Sequence, residues 1–572
     1  MLPLLAVLAA WLVAVAAIGI GGDFPLGDDW SYAHAARSLC ENGKFDLLPW
    51  TGASLFLQAL YGAAACKVAG FSYVVLRTTT LAMSVCGIVA TSALLVECGA
   101  SPCVAAAGAA VVASCPLWLN LSFTFMTDVP FATLAVVSLW LTARSLRLHS
   151  RPGLVLAGVA AAAAFLIRQH AVSISAAAAL AALLPPGRIA PNAGTKSDAG
   201  RRPGDRLVDA AAVVAVPVMT VIAYTAWAAT SSATPLAVHN KLVEAARLAP
   251  VSALDVAFRA LVTLGFLILP WTATSAFATG REKRVFALTL AVLGGIAGFV
   301  WVRNGSAMFY LGNIMGLLHV GARTTRDAMF LAKPDAAEIP GLARPILTVL
   351  CVISASRLVA RLSLLVRLGG PIASTPAIRN DTRYRVAWLC VMALLLSGAG
   401  TLLQAHYYFD RYLVVLVPLA IASLVCLDPS PRSGAFTVAA TIAMALYSVA
   451  GTHDYLAWNR ARWGLLSELE SKGIDATHID GGFEYNAERL AARLRTSPTD
   501  AQAAAGQDAL HKSWWWVVDD EWIVAFGPLA GYDEAASREY PRWLLPGKAR
   551  VLLLHRTGTD GPAGSDAKAG GA

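Results

Sequence analysis

The chain has 572 residues, 57% hydrophobic and 14% charged, with a net charge of +9 and a mean hydropathy of +0.59. Soluble globular domains carry about 25% charged residues, so this composition excludes an ordinary cytosolic protein. It also excludes a disordered chain, a collagen-like repeat and a disulfide-stapled secreted scaffold. What fits is a bundle of spanning helices, each needing about 20 apolar residues.

Residues 1–20 form one apolar run without the basic start and shorter core of a cleaved signal peptide, which predicts a first spanning helix. Further runs lie at 73–96, 102–119, 128–143, 152–169, 171–185, 208–230, 256–278, 285–302, 343–363, 386–404, 412–427 and 434–451, thirteen in all. Basic residues collect in alternate loops. They are Arg144, Arg147 and Arg151; then Arg188, Lys196, Arg201, Arg202 and Arg206; Arg281, Lys283 and Arg284; Arg361, Arg367, Arg379, Arg383 and Arg385; and Arg432. The positive-inside rule puts these loops and the N-terminus in the cytoplasm and the C-terminal region outside. The surplus of positive charge is then a topology signal rather than a nucleic-acid surface.

The outer segments are 21–72, 120–128, 231–255, 303–342 and a short turn at 405–411. Residues 1–451 read as the membrane domain and 452–556 as a small α+β domain. In the latter, a helix is expected over Trp458–Lys472, with strands at Trp514–Val518, Trp522–Phe526 and Val551–Leu554. The Gly481-Gly482 pair reads as a turn, with an acceptor-binding edge as the alternative. Residues 557–572 and the inner loop 186–206 read as flexible. No internal repeat of the two-fold transporter kind stands out. The nine cysteines include no CxxC pair and mostly fall inside apolar runs, so they read as separate buried thiols without a metal signature. Cys40 and Cys66 alone fall near the outer face.

Carboxylates beside the membrane carry the chemistry. The first outer loop opens Asp23-Phe24-Pro25-Leu26-Gly27-Asp28-Asp29-Trp30-Ser31-Tyr32, where Pro25 and Gly27 turn the chain before a helical stretch. Capping that helix, which needs only one of the two carboxylates, and function are the two readings of this pair. Trp30 and Tyr32 suit an interfacial position. Asp128, in Thr127-Asp128-Val129-Pro130, follows a very short outer turn, so it is held close to hydrocarbon, where an unpaired carboxylate is costly. Its alternative role is to cap the helix that Pro130 opens. Cations and aromatics share this face: Arg168 and His170 interrupt an apolar stretch, Lys241 and Arg247 lie in an outer loop, and His406, Tyr408 and Arg411 precede the twelfth run. Arginine suits a bidentate grip on phosphate, while lysine acts as a point charge.

These motifs resemble the GT-C class of membrane glycosyltransferases, close to the family 39 type of protein mannosyltransferases and aminoarabinose transferases. The resemblance rests on Asp28-Asp29-Trp30-Ser31-Tyr32, Thr127-Asp128-Val129-Pro130, the Phe165-Leu166-Ile167-Arg168-Gln169-His170 break, Tyr310-Leu311-Gly312-Asn313 and Arg411-Tyr412-Leu413, and in layout it covers about residues 1–450. It implies an α-helical polytopic membrane protein, a GT-C-like bundle of about thirteen transmembrane helices with a small C-terminal α+β extracytoplasmic domain. It also implies a polyprenyl-phosphate sugar donor, an acceptor hydroxyl on a lipid, glycan or protein, and transfer with inversion at the outer face. Asp28 is then the base, Asp29 its substitute, and Asp128 a second acid that positions the acceptor or a cation. Arg168, Lys241 and Arg411 hold the donor phosphate, with His170, His406 and Tyr408 as further candidates. Family members commonly carry Asp-Glu where this chain has Asp28-Asp29. No residue pattern demands a cofactor, and a divalent cation is compatible with the site. The alternatives are a transporter or flippase of a lipid-linked saccharide and a non-catalytic scaffold. Alanine- and arginine-rich usage points to a GC-rich bacterial genome and an inner membrane.

Overall fold

The computed structural model describes residues 2–48, 50–184, 203–230, 250–272, 277, 279–304, 312–316, 319–323, 343–364, 381–402, 408–428, 434–491, 516–517 and 519–557. The chain forms two compact units: Met1–Arg326, Ala337–Leu456 and Trp543–Leu545 make the first, and Asp327–Ala336, Ala457–Arg542 and Pro546–Ala572 the second. The expected tail 557–572, apart from its first residue, lies outside the described residues, as do most of the loop 186–206, Lys241, Arg247 and His406.

The first unit is helical. Among the described residues, eight helices are long and apolar enough to cross a membrane: Tyr73–Glu97, Asp128–Leu148, Pro203–Thr230, Gly280–Arg303, Arg344–Leu362, Arg383–Leu402, Asp410–Leu427 and Ala435–Ser471. The pair Pro102–Ser114 and Pro116–Ser122, bent by 65°, is together long and apolar enough for a further crossing. Pro116 lacks the amide hydrogen that would continue the first helix, and its ring would clash with the preceding turn, so the chain breaks there. Shorter apolar helices occupy Leu2–Ile18, Arg151–Phe165 and Gln169–Leu183, and Pro250–Leu267 is helical as well. Every one of the thirteen apolar runs therefore holds a helix. The segment 21–72 holds the expected helical stretch and a second helix that was not expected. It contains the helices Asp29–Asn42 and Phe56–Ala69, the second of them apolar.

The break after Phe165 leaves carbonyls unpaired inside the bundle, and a neighbouring segment satisfies them. Leu57 N–H donates to Leu166 O at 3.1 Å, Leu55 N–H to Ile167 O at 3.2 Å, and the Ser54 hydroxyl to Phe165 O. Irregular backbone is tolerated at such depth only with partners of this kind. Basic residues of the expected cytoplasmic loops pair at helix ends. Arg147 meets Glu97 at 2.7 Å, Arg151 meets Asp205 at 2.8 Å, and the buried Arg361 meets Glu282 at 3.3 Å and Asp428 at 3.2 Å.

The second unit joins the far part of Ala435–Ser471, a 37-residue helix, to a four-stranded sheet. At 1.5 Å per residue that helix is about 55 Å long, well beyond the hydrocarbon thickness of about 30 Å. The expected helix Trp458–Lys472 is its continuation, not a separate element. The strands are β1 (Ile479–Asp480), β2 (Trp522–Ala525), β3 (Tyr532–Arg542) and β4 (Gly547–Arg556) in the order β1-β2-β4-β3, with β1 parallel to β2 and the other pairs antiparallel. Ile523, Ala525, Leu552 and Leu554 form its core. Two expectations change. The strand β3 was not foreseen, because it carries charged residues on both faces, among them Arg538 and Glu539, and its apolar alternation is weak. Trp516 is not in a strand but in a turn at φ +52, almost fully buried, while Trp514, Trp515 and Val518 lie outside the described residues. The Gly-Gly pair is a turn, as expected: Gly482 has φ +91, and a Cβ on Gly481 would sit 2.4 Å from the Tyr485 ring.

Arg462 and Glu484 anchor this unit, 2.7 Å apart with both side chains fully buried. Arg462 also donates to Gly481 O at 2.8 Å and Asn459 Oδ1 at 3.1 Å. Removing one member strands a buried charge. Glu484→Leu is therefore expected to destabilise the second unit by about 3–5 kcal/mol, and Arg462→Met with Glu484→Leu by less than either alone. Urea titration of unit-specific proteolysis in the full chain measures both.

Candidate active site

The loop 19–28 is pinned before it reaches the site. Gly22 and Gly27 take φ +115 and +65, conformations that favour glycine, and let the chain reverse. Arg77, buried near the start of Tyr73–Glu97, donates to the carbonyls of Ile20 at 2.7 Å, Gly22 at 3.2 Å and Phe24 at 3.2 Å. Asp23 accepts from Tyr73 N–H at 2.6 Å and from the Ser72 hydroxyl at 2.9 Å. Three otherwise orphaned carbonyls and one buried cation thereby satisfy one another.

Neither Asp28 nor Asp29 caps the helix Asp29–Asn42, and their partners set their roles instead. Asp29 is almost fully buried; it accepts from Leu26 N–H at 2.6 Å and from Phe125 N–H at 3.2 Å. It thus closes its own turn and ties it to the turn carrying Asp128. Gln58 reinforces that turn by donating to Phe125 O at 2.6 Å. Asp28 occupies the N-cap position of Asp29–Asn42, yet its carboxylate makes no capping bond. It pairs instead with Arg411 Nη1 at 2.7 Å and accepts from Trp50 Nε1 at 3.1 Å. Trp30 and Tyr32 are buried in the unit rather than exposed at an interface. Burial, with Asp28 as the next cause, pushes the Tyr32 phenol above its usual range and keeps it neutral.

Asp128 opens the helix Asp128–Leu148, so its carboxylate also sees the positive end of that helix. Arg168, in extended backbone at the helix break, reaches it in an ion pair. The second oxygen, Asp128 Oδ2, is buried without a hydrogen-bond partner, as is Arg411 Nε. Tyr412 lies beneath both cations, its ring centre 5.2 Å from Arg168 and 5.8 Å from Arg411. Around them is a small cavity of about 10 Å³, lined by Asp128, Phe131, Arg168, His170, Thr401 and Arg411 among others. Tyr408 does not line it; its hydroxyl lies 3.0 Å from that of Thr401 behind the Tyr412 ring. The structure therefore brings together Asp28, Asp128, Arg168 and Arg411, with His170 on the wall. It sets Asp29 and Tyr408 behind them.

Arg411 is positioned by its neighbour. Asp410, fully buried, accepts from Met315 N–H at 2.7 Å and Ile314 N–H at 3.1 Å, fastening Asp410–Leu413 to the segment 312–323. That segment is a small hairpin, with Met315 bridged to Val320 and Tyr447 donating to Gly316 O at 2.7 Å. Sequence reasoning assigned no role to Arg77, Trp50, Asp410 or Tyr412. An arginine inside an apolar helix was a signal for the first; the others depend on contacts between distant segments. Among the described residues, neither group of potential metal ligands includes Asp28 or Asp128.

Residues 57–192 match the model of the dolichyl-phosphate-mannose-protein mannosyltransferase family. No curated protein sequence matches the chain. Among solved structures, the chain is similar to ArnT from Cupriavidus metallidurans in the apo state, at 14% identity and a TM-score of 0.37, over 96% of this chain and 97% of that one. ArnT bound to undecaprenyl phosphate aligns at 12% identity and a TM-score of 0.37, over 98% and 99%. The archaeal oligosaccharyltransferase AglB from Archaeoglobus fulgidus, in complex with an inhibitory peptide and a dolichol-phosphate, aligns at 13% identity and a TM-score of 0.35, over 80% and 55%. Identities and TM-scores this low carry no argument for function; the family match spans Asp128 and Arg168.

Replacing Asp29 by alanine leaves two buried amides without an acceptor, at a cost of about 1–3 kcal/mol, and unties the Asp28 turn from the Asp128 turn. Hydrogen exchange over residues 24–32 and 123–128 is expected to speed up together in D29A. A second expectation concerns pH. Burial, and then Arg323, hold His319 down to about 4, below its ordinary 6.5. The unfolded chain takes up this proton first, so the hairpin loses stability as pH falls from 6.5 towards 4 and gains none below. Exchange over 312–323 at pH 7 and pH 5 checks it, and H319Q is expected to flatten the difference.

Proposed function

We propose that the protein is a membrane glycosyltransferase that moves a hexosyl or pentosyl group from a polyprenyl-phosphate donor to an acceptor hydroxyl of a lipid, glycan or protein. The observation that carries this reading is the pair of ion pairs, Asp28–Arg411 and Asp128–Arg168, of which Asp128, Arg168 and Arg411 line one small cavity at the edge of apolar helices. The family match over 57–192 supports the donor class. Two guanidiniums held over one aromatic ring suit a phosphate diester better than a neutral ligand. The basic loops support an N-terminus in the cytoplasm of a bacterial inner membrane, with the site and the C-terminal unit on the extracytoplasmic side.

Each cation is charge-balanced before the donor arrives, which limits the penalty of keeping it buried. A donor phosphate competes for Arg168 and Arg411 and releases carboxylate oxygens from them. Asp28, with 14% of its side chain exposed against 1% for Asp128, is the general base. It takes the acceptor hydroxyl proton as that oxygen bonds to the anomeric carbon from the face opposite the phosphate. The bond from that carbon to the phosphate oxygen breaks, its electron pair stays on the polyprenyl phosphate, and Arg168 and Arg411 stabilise the charge that develops. The sugar is transferred with inversion. Asp128 orients Arg168 and, through Oδ2, the acceptor. Lys241 is a third phosphate ligand in this scheme, and His170 and His406 contact the headgroup.

Radiolabelled polyprenyl-phosphate sugars, offered to protein in lipid, test the scheme. D28N and D128N are expected to lower transfer by about 10²–10⁴-fold at unchanged expression. R168K and R411K are expected to weaken donor binding more than they slow turnover of bound donor, because lysine keeps the charge and loses the fork. Lipid movement without sugar transfer would overturn the reading in favour of a flippase.

A further inference from the structure

Three cysteines that are unrelated in sequence meet near one end of the first unit. Cys98 follows Tyr73–Glu97, Cys390 lies in Asp381–Leu402 and Cys426 near the end of Leu416–Leu427. Cys98 Sγ is 3.8 Å from Cys390 Sγ, Cys426 Sγ is 4.0 Å from Cys390 Sγ, and all three lie within 4.8 Å of one another. Each residue is buried. This corrects the reading of the cysteines as separate thiols without a metal signature. We propose that Cys98, Cys390 and Cys426 form a three-sulfur binding site for a soft closed-shell cation, with Cu(I) as its best occupant.

The geometry and the donor set support this. A metal about 2.3 Å from three sulfurs in one plane holds them roughly 4 Å apart, the spacing already present. Soft thiolates select Cu(I) and Zn(II) over the hard cations. Zn(II) takes a fourth ligand in structural sites, and among the described residues no fourth His, Cys, Asp or Glu joins the group. Three-coordination therefore favours Cu(I). Binding replaces three S–H protons by one cation without change of oxidation state, so three protons leave and the complex carries two negative charges. Arg383 lies where it offsets one of them. Gly99, at φ +96 beside Cys98, lets the guanidinium approach the backbone so closely that a Cβ there would be 3.2 Å from its carbon. The group lies apart from the cavity of Asp128 and Arg168, whose lining includes none of the three.

The test uses full-length protein in detergent under argon, with the exposed thiols removed as C86S/C103S, loaded with Cu(I) and stripped of loose metal. One copper per chain with a thiolate-to-metal absorption band is expected. C390S in the same background is expected to lose both while melting as its parent does; C426S serves if C390S fails to fold. Copper retained in these variants, no copper in the parent, or Zn(II) bound in preference to Cu(I) would overturn the assignment. So would a Cys98–Cys390 disulfide in fresh protein whose reduction creates no copper binding.

Discussion

Everything at the site depends on the cost of holding charge among apolar helices. An isolated carboxylate or guanidinium there costs several kcal/mol, so each must be matched. Asp128 with Arg168 and Asp28 with Arg411 are the matches, and both join segments far apart in the chain. The pairing sets where the helices Arg151–Phe165 and Asp128–Leu148 meet, and it fixes the short element Asp410–Leu413 against the loop after the first helix. Neighbouring polar groups serve the same end. Arg77, Asp23, Asp29 and Asp410 each spend their charge on backbone groups that the bilayer would otherwise leave unsatisfied. Structure and chemistry here draw on one set of side chains, separated by whether a residue's partners are amides or other charges.

That separation marks how much the sequence could reveal. Apolar runs are long-range composition signals, so all thirteen helical regions were legible, and Arg168 marked one break; the bend at Pro116, inside the run 102–119, was not read. The carboxylates Asp28 and Asp128 were legible because a charge next to hydrocarbon needs a reason. The choice between Asp28 and Asp29 was not. Both stand at the start of the same helix, and only the approach of Phe125 to Asp29 and of Arg411 to Asp28, 96 and 383 residues further on, distinguishes them. The helix Phe56–Ala69 was hidden because its apolar stretch is too short for a span, and β3 because its alternation is mostly charged. The convergence of the three cysteines was invisible for the same reason as the pairing of Asp28 with Arg411: spacing says nothing about segments that meet 292 residues apart.

The break at Leu166–Arg168 bears on how the chain assembles. Its freed carbonyls and its guanidinium are answered by residues 54–57 and by Asp128, all of which leave the ribosome earlier. The paired helices around Arg168 can thus enter a bundle that already holds their partners. Asp28 stands differently: its counter-charge, Arg411, is made nearly four hundred residues later. Through most of synthesis the nascent protein carries that carboxylate uncompensated at the water boundary. Closure of the site is accordingly among the last events of biogenesis, and a chain cut short before Arg411 would expose an open, acidic groove to whatever quality control surveys the membrane.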